Sequence, residues 1–139
     1  MLSNNSAYNK DFYKWTKMQT NFLKQGEFSK LDIDHLIEEL DALGRSEKRT
    51  LESYLTVLLL HLLKMKYQPN KKTKSWELSV KNSKHKINVL LKENPSLKRL
   101  LPTSLDEAYF TARLGAISET GLEDELFPEE CPFDLKEIL

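Results

Sequence analysis

Leu51, Leu55, Leu58, Leu59, Leu62 and Met65 recur at the three- and four-residue spacing of one helix face. Val57, Leu60 and Leu63 fill much of the remaining circumference. A helix that is apolar nearly all round must be contacted on several sides, so the rest of the chain has to supply covering elements. Its expected span runs from Ser46, a candidate cap, to about Tyr67, just before Pro69. The longest apolar run, LTVLLLHLLKM, is far short of the ~18–20 residues that a membrane span needs. No membrane partner is therefore expected.

The covering elements also read as helices. One is expected from Asp11 to Gln25, with Phe12, Trp15, Phe22 and Leu23 near one face, Met18 nearby and Gly26 at its C-terminal cap. Asp32 can cap a second, in which Ile33, Leu36, Ile37, Leu40 and Leu43 form the core stripe and Gly44 ends or bends the helix. Ser75 is a candidate cap for a helix carrying Trp76, Val80, Ile87, Leu90 and Leu91, stopped by Pro95. PSLKRLLP reads as a short turn of helix between two prolines. SLDE at Ser104–Glu107 matches a capping box, opening a helix that Gly121 closes. FPEECPFDLKEIL is a proline-punctuated tail with one last turn after Asp134. No strand pattern and no internal repeat is visible. The expectation is an all-α fold, a compact bundle of about five helices around a long central helix. It is read as a single domain over residues 1–139, with residues 1–8 disordered.

The chain is 40% hydrophobic and 30% charged, as ordinary globular chains are. Its net charge of zero conceals a strong polarity. Residues 61–101 hold 11 basic and 2 acidic side chains, whereas residues 102–139 hold 2 basic and 10 acidic. Either the acidic tail folds over the basic middle, or the middle is a surface for an anionic partner. Cys131 is the only cysteine, and MLSNNSAYNK lacks the apolar core of a secretion signal, so a cytoplasmic setting is expected.

Gly26, Gly44, Gly115 and Gly121 have the wrong spacing for a phosphate-cradling loop. Paired Cys-x-x-Cys motifs, H-E-x-x-H and a nucleophile elbow are all missing. No cofactor and no metal site is expected. Cys131, set among acids in PEECPF, is a poor candidate thiolate.

Three constellations remain. In HLIEELD, His35 and Glu39 share a helix face with Glu38 nearby, which could serve a metal or a general base but reads more simply as a solvated acidic face. His61 has Tyr54 and Gln68 at seven-residue spacing. With Trp76 they are expected to form a polar patch at one end of the core, since a histidine amid leucines needs a hydrogen-bond partner. Lys71, Lys72, Lys74, Lys81 and Lys84 surround Trp76 and could hold phosphate by charge and a base by stacking.

The order of DFYKWTKMQ, LDIDHLIEELDALGRSEKRTLES, HLLKMKYQP, SW, NPSL, AYFTAR, ETGL and FPEECPF, over Tyr8 to Leu139, resembles a bacterial family abundant in cyanobacteria. It is the family catalogued as domain of unknown function 29. The resemblance implies a small helical-bundle protein of the bacterial cytoplasm and brings no catalytic residues to carry over. Its characteristic polar positions match at Glu39, Ser46, Glu47, Ser53, His61, Gln68 and Trp76. Members often continue a little further, so a final aromatic segment is expected to be missing here.

The leading expectation is a non-enzymatic binding module with a basic face, its partner nucleic acid, an acidic protein or the tail of a second copy in a homodimer. The alternative is a small hydrolase or nuclease, metal-assisted or not, using His61 with a carboxylate such as Glu39 or Glu47.

Overall fold

The computed structural model describes residues 3–139. They form six α-helices joined by short links and 3-10 turns, with no strand among the described residues. Fold class therefore follows the helical periodicity of the sequence.

Helix α1 (Asn4–Lys10) begins where Ser3 accepts from the Ser6 amide. It takes in part of the segment expected to lack structure; Met1 and Leu2 lie outside the described residues. Helix α2 (Phe12–Lys24) starts at Asp11, whose carboxylate accepts from the Lys14 amide at 3.1 Å. It ends just before Gly26, which takes a left-handed φ of 70°.

Helix α3 (Ile33–Tyr67) is one uninterrupted helix of 35 residues. The two helices expected on either side of Gly44 are therefore one, and Ser46 lies in its interior, not at a cap. Gly44 has neither a positive φ nor a neighbour crowding its missing Cβ. An interior glycine costs about 1 kcal/mol, too little to break a helix of strong formers.

Helix α4 (Lys74–Glu93) is capped by Thr73, not by Ser75. The 3-10 turn Pro95–Leu100 leads directly into α5 (Leu101–Thr120), which begins before the expected capping box. Ser104 is consequently a buried helical residue whose hydroxyl has no partner among the described residues. Gly121 closes α5 in the left-handed region, as the sequence indicates. Helix α6 (Leu135–Ile138) follows Asp134.

The contacts divide the chain into two compact units, one through Arg45 and the other Ser46–Leu139. The larger unit holds the main core. Leu51, Leu55, Leu58, Leu59 and Leu63 of α3 are wholly buried there, with Ile87 of α4 and Ala116 of α5. Leu62, expected inside, lies at the core's edge and is only partly buried. Ala108, Ala112 and Ala116 line one side of α5, and a Cβ on Gly115 would sit 3.4 Å from Leu60, so α5 approaches α3 closely. The tail is strapped to α5. Tyr109 donates to the Pro128 carbonyl at 2.5 Å, and the Arg113 guanidinium holds the carbonyls of Asp124, Phe127 and Pro128.

The smaller unit has a modest interior of Ala7, Trp15 and Gln19. The stripe expected to be its core is turned outward: Ile33, Ile37, Leu40 and Leu43 are exposed, as are Phe12 and Leu23.

Candidate functional site

The basic surface is built by the end of α3, the Pro69–Lys71 turn and the first half of α4. Pro69 stops α3, and Thr73 restarts the chain as α4, so the lysines between them sit on an exposed link. Lys71, Lys72, Lys74 and Lys81 are exposed, and Lys84 is half-buried. Lys72 pairs with Glu77 at 2.9 Å and holds that carboxyl below the usual carboxylate range. Among the described residues no carboxylate pairs with Lys71, Lys74, Lys81 or Lys84. Lys64 reaches Glu119 at 3.7 Å, but no acid from residues 121–139 pairs with a lysine of the link or of α4. The acidic segment thus meets the basic middle in one ion pair, Lys64–Glu119, and among the described residues leaves the lysines of the link and of α4 without a partner from the tail. A shallow depression of about 620 Å³, lined by Lys74, Ser75, Leu78, Ser79 and Asn82, adjoins the lysines.

The aromatic groups near this surface are already engaged. Trp76 is half-buried with the Lys64 ammonium 4.7 Å from its ring centre. Tyr67 packs edge-on against buried Phe127 at 5.2 Å.

His61 is half-buried, and its Nδ1 donates to the Val57 carbonyl one turn back at 2.8 Å. A carbonyl only accepts, so Nδ1 carries the proton. Glu47 is exposed and fourteen residues away on the same helix, roughly 21 Å at 1.5 Å per residue. Glu39 belongs to the smaller unit and is held by Tyr8. The structure thus gives His61 a backbone partner and, within its own unit, leaves Glu47 out of its reach. Nor does any hydrogen bond or ring contact among the described residues join Tyr54, His61, Gln68 and Trp76 into one patch. Tyr54 instead lies beneath Lys86, 5.5 Å from its ring centre.

The most connected polar cluster lies in the smaller unit, on residues sequence reasoning passed over or discounted. Asp32 precedes α3, and its carboxylate accepts from Trp15 Nε1 at 2.9 Å and from His35 Nδ1 at 2.8 Å. Burial pushes this carboxyl up, but the hydrogen bonds from His35 and Trp15 outweigh it and hold the group below its usual value. Gln19, buried on α2, accepts from the Asp32 amide and donates to Asn4. Tyr8 donates to Glu39 at 2.6 Å, and that bond to a carboxylate, with some burial, pushes its phenol up to about 12. Asp34 and Asp41 are exposed, as a solvated face requires; Glu38 is exposed but also accepts from Tyr8 at 3.5 Å, and His35 and Glu39 are engaged between helices. The Asp32–His35 spacing of three was visible in the sequence; the link to Tyr8 and Trp15 was not, because it is made between helices.

An imidazole backed by a carboxylate can act as a base. The depression beside Asp32, about 460 Å³, is lined by Ser3, Asn4, Leu31, Asp32, Ile33 and Asp34, and His35 is not on its wall. Glu52, Tyr109 and Cys131 also have shifted titrations, Tyr109 being pushed up to about 12 chiefly by burial. Glu52 is pushed up by burial and by the carboxyl of Glu107 beside it, with Lys48 partly offsetting both. Burial also pushes the Cys131 thiol up, away from a reactive thiolate. Among the described residues no three His, Cys, Asp or Glu side chains converge to hold a metal. No helix of these residues is long and apolar enough to cross a membrane.

Residues 7–139 match the model of a family described as Domain of unknown function DUF29. No curated protein and no solved structure matches the chain.

Proposed function

We propose that this chain, which belongs to the DUF29 family, is a binding protein of the bacterial cytoplasm that holds an acidic protein partner on the lysines around the α3–α4 link. The observation that carries this is that, among the described residues, no ion pair holds Lys71, Lys74 or Lys81, although Glu77 also feels the charge of Lys81. Had the acidic tail paired with them, the segregated charge would be accounted for within the molecule. Each exposed lysine contributes little alone, about 0–1 kcal/mol in an ion pair. A cluster of one sign gathers an oppositely charged surface quickly and sets its orientation. The lone Cys131, with its raised thiol, suits a reducing compartment.

An acidic protein is favoured over a nucleic acid because single-stranded bases need free aromatic faces. Trp76 already carries Lys64, and Tyr67 is packed on Phe127.

The test is fluorescence anisotropy with three labelled probes: polyglutamate, single-stranded DNA and duplex DNA, over a range of salt. Polyglutamate should bind at low salt and be lost in Lys71→Glu/Lys74→Glu/Lys81→Glu. Equal binding by wild type and triple variant would sink the basic-face reading. Tighter binding of either DNA, lost in the same variant, would make the partner a nucleic acid.

A further inference from the structure

We infer that the first half of α3 is a docking face for a partner helix whose apolar row is flanked by lysine or arginine. Ile33, Ile37, Leu40 and Leu43 are 52%, 53%, 65% and 65% exposed. Their spacing of four, three and three puts them on one side of α3, over roughly 15 Å of its length. Single exposed leucines are ordinary; four in one row on a small unit mark a contact surface.

The unit's own packing explains why the row is free. Helix α1 meets α3 on its polar side, where Tyr8 stacks on His35 and bonds to Glu39. Trp15 of α2 donates to Asp32 just before α3. The amphipathic helix is thus covered on its polar side, and among the described residues the apolar row stays exposed.

The charge beside the row selects the occupant. Asp34, Glu38 and Asp41 are exposed and spaced four and three apart, so they form a rail along one flank of the apolar row. None of them is in an ion pair among the described residues, although Glu38 also accepts from the Tyr8 hydroxyl at 3.5 Å, and only Arg45 follows at the same spacing. A helix with a complementary apolar row and basic flanks would bury the leucines and set its cations against the rail. A second copy docked antiparallel by the same face would bring Glu38 and Asp41 of both copies together at the centre, and like charges there oppose association. This face lies in the smaller unit and the lysine surface in the larger, so either can fail without the other.

The experiment uses the full chain and two labelled eighteen-residue helical peptides with identical leucine rows, one flanked by lysines and the other by glutamates. The lysine peptide should bind at least about tenfold more tightly, and the preference should shrink with salt. Leu40→Asp should abolish binding with the helical circular dichroism unchanged. Asp34→Lys/Glu38→Lys/Asp41→Lys should reverse the preference. The proposal is overturned if the peptides bind equally, if neither binds, or if Leu40→Asp binds like wild type. It is also overturned if the free chain sediments as a dimer that Leu40→Asp converts to monomer, because the face would then belong to a second copy.

Discussion

Tyr8 lies flat on His35, with ring centroids 3.8 Å apart and planes inclined by 15°. Its hydroxyl reaches one turn further along α3 to Glu39. This one side chain fastens α1 to the polar side of α3 and so leaves the Ile33–Leu43 row facing outward.

The Tyr8 hydroxyl should titrate far above an ordinary tyrosine. Its bond to the Glu39 carboxylate, then burial, raise the phenol from 10.0 to about 12. A phenol whose value is raised on folding favours the folded state below 10.0 and loses that contribution as pH climbs toward 12. Ultraviolet titration of wild type against Tyr8→Phe isolates this group. Glu39→Gln should bring its midpoint back toward 10.0; an unchanged midpoint would mean that Glu39 is not its partner.

Asp32 should sharpen acid unfolding. Its folded value lies below 3.8, so its contribution is present above that pH and is lost as pH falls through the folded value. Asp32→Ala leaves the Trp15 indole and His35 imidazole without their acceptor and should cost about 1–3 kcal/mol at neutral pH. Urea melts at descending pH should show the two proteins converging in acid. Parallel curves would contradict the assignment.

Glu52 should behave in the opposite sense. Burial, then Glu107, raise its folded value above 4.5, so the folded chain prefers the protonated carboxyl and loses stability as pH rises past that range. Glu52→Gln should therefore be more stable than wild type at neutral pH, and the gap should close in acid. Thermal melts at both ends of the range decide this, and a neutral-pH loss would refute it.

Two leucines on α3 should respond very differently to truncation. Leu55 is fully buried, and Leu55→Ala should cost about 2–5 kcal/mol. Leu40 is 65% exposed, and Leu40→Ala should stay within about 0.5 kcal/mol. Comparable losses in chemical denaturation would mean that Leu40 is covered in solution.

Two glycines separate helix interior from helix end. Neither has an atom within 4 Å of where a Cβ would stand. Gly44 is ordinary helix, so Gly44→Ala should stabilise by about 0.5–1 kcal/mol. Gly121 has φ 69°, and Gly121→Ala should destabilise by about 1–2 kcal/mol. Melting temperatures moving the same way would contradict an α3 that runs through Gly44 and an α5 that stops at Gly121.

Local chemistry determined most of what the sequence could say by itself. Gly121 as a stop, Pro69 and Pro95 as boundaries and the leucine repeat of Leu51–Leu63 each act within a few residues, so the helical fold could be read directly. Gly44 and Ser104 misled for the same reason: a glycine or a capping motif states a local preference of about 1 kcal/mol, and a strong helix on both sides overrides it. Which face of a helix is covered is another kind of question. The pattern Ile33, Ile37, Leu40, Leu43 announces an apolar stripe but not its neighbour, and only tertiary structure places Tyr8 and Trp15 against the other side. His61 likewise found its partner in its own helix, while Asp32, His35 and Glu39 gained theirs from helices distant in sequence. Side-chain partnership depends on how helices dock, and docking energy is summed over contacts that no short stretch of chain contains.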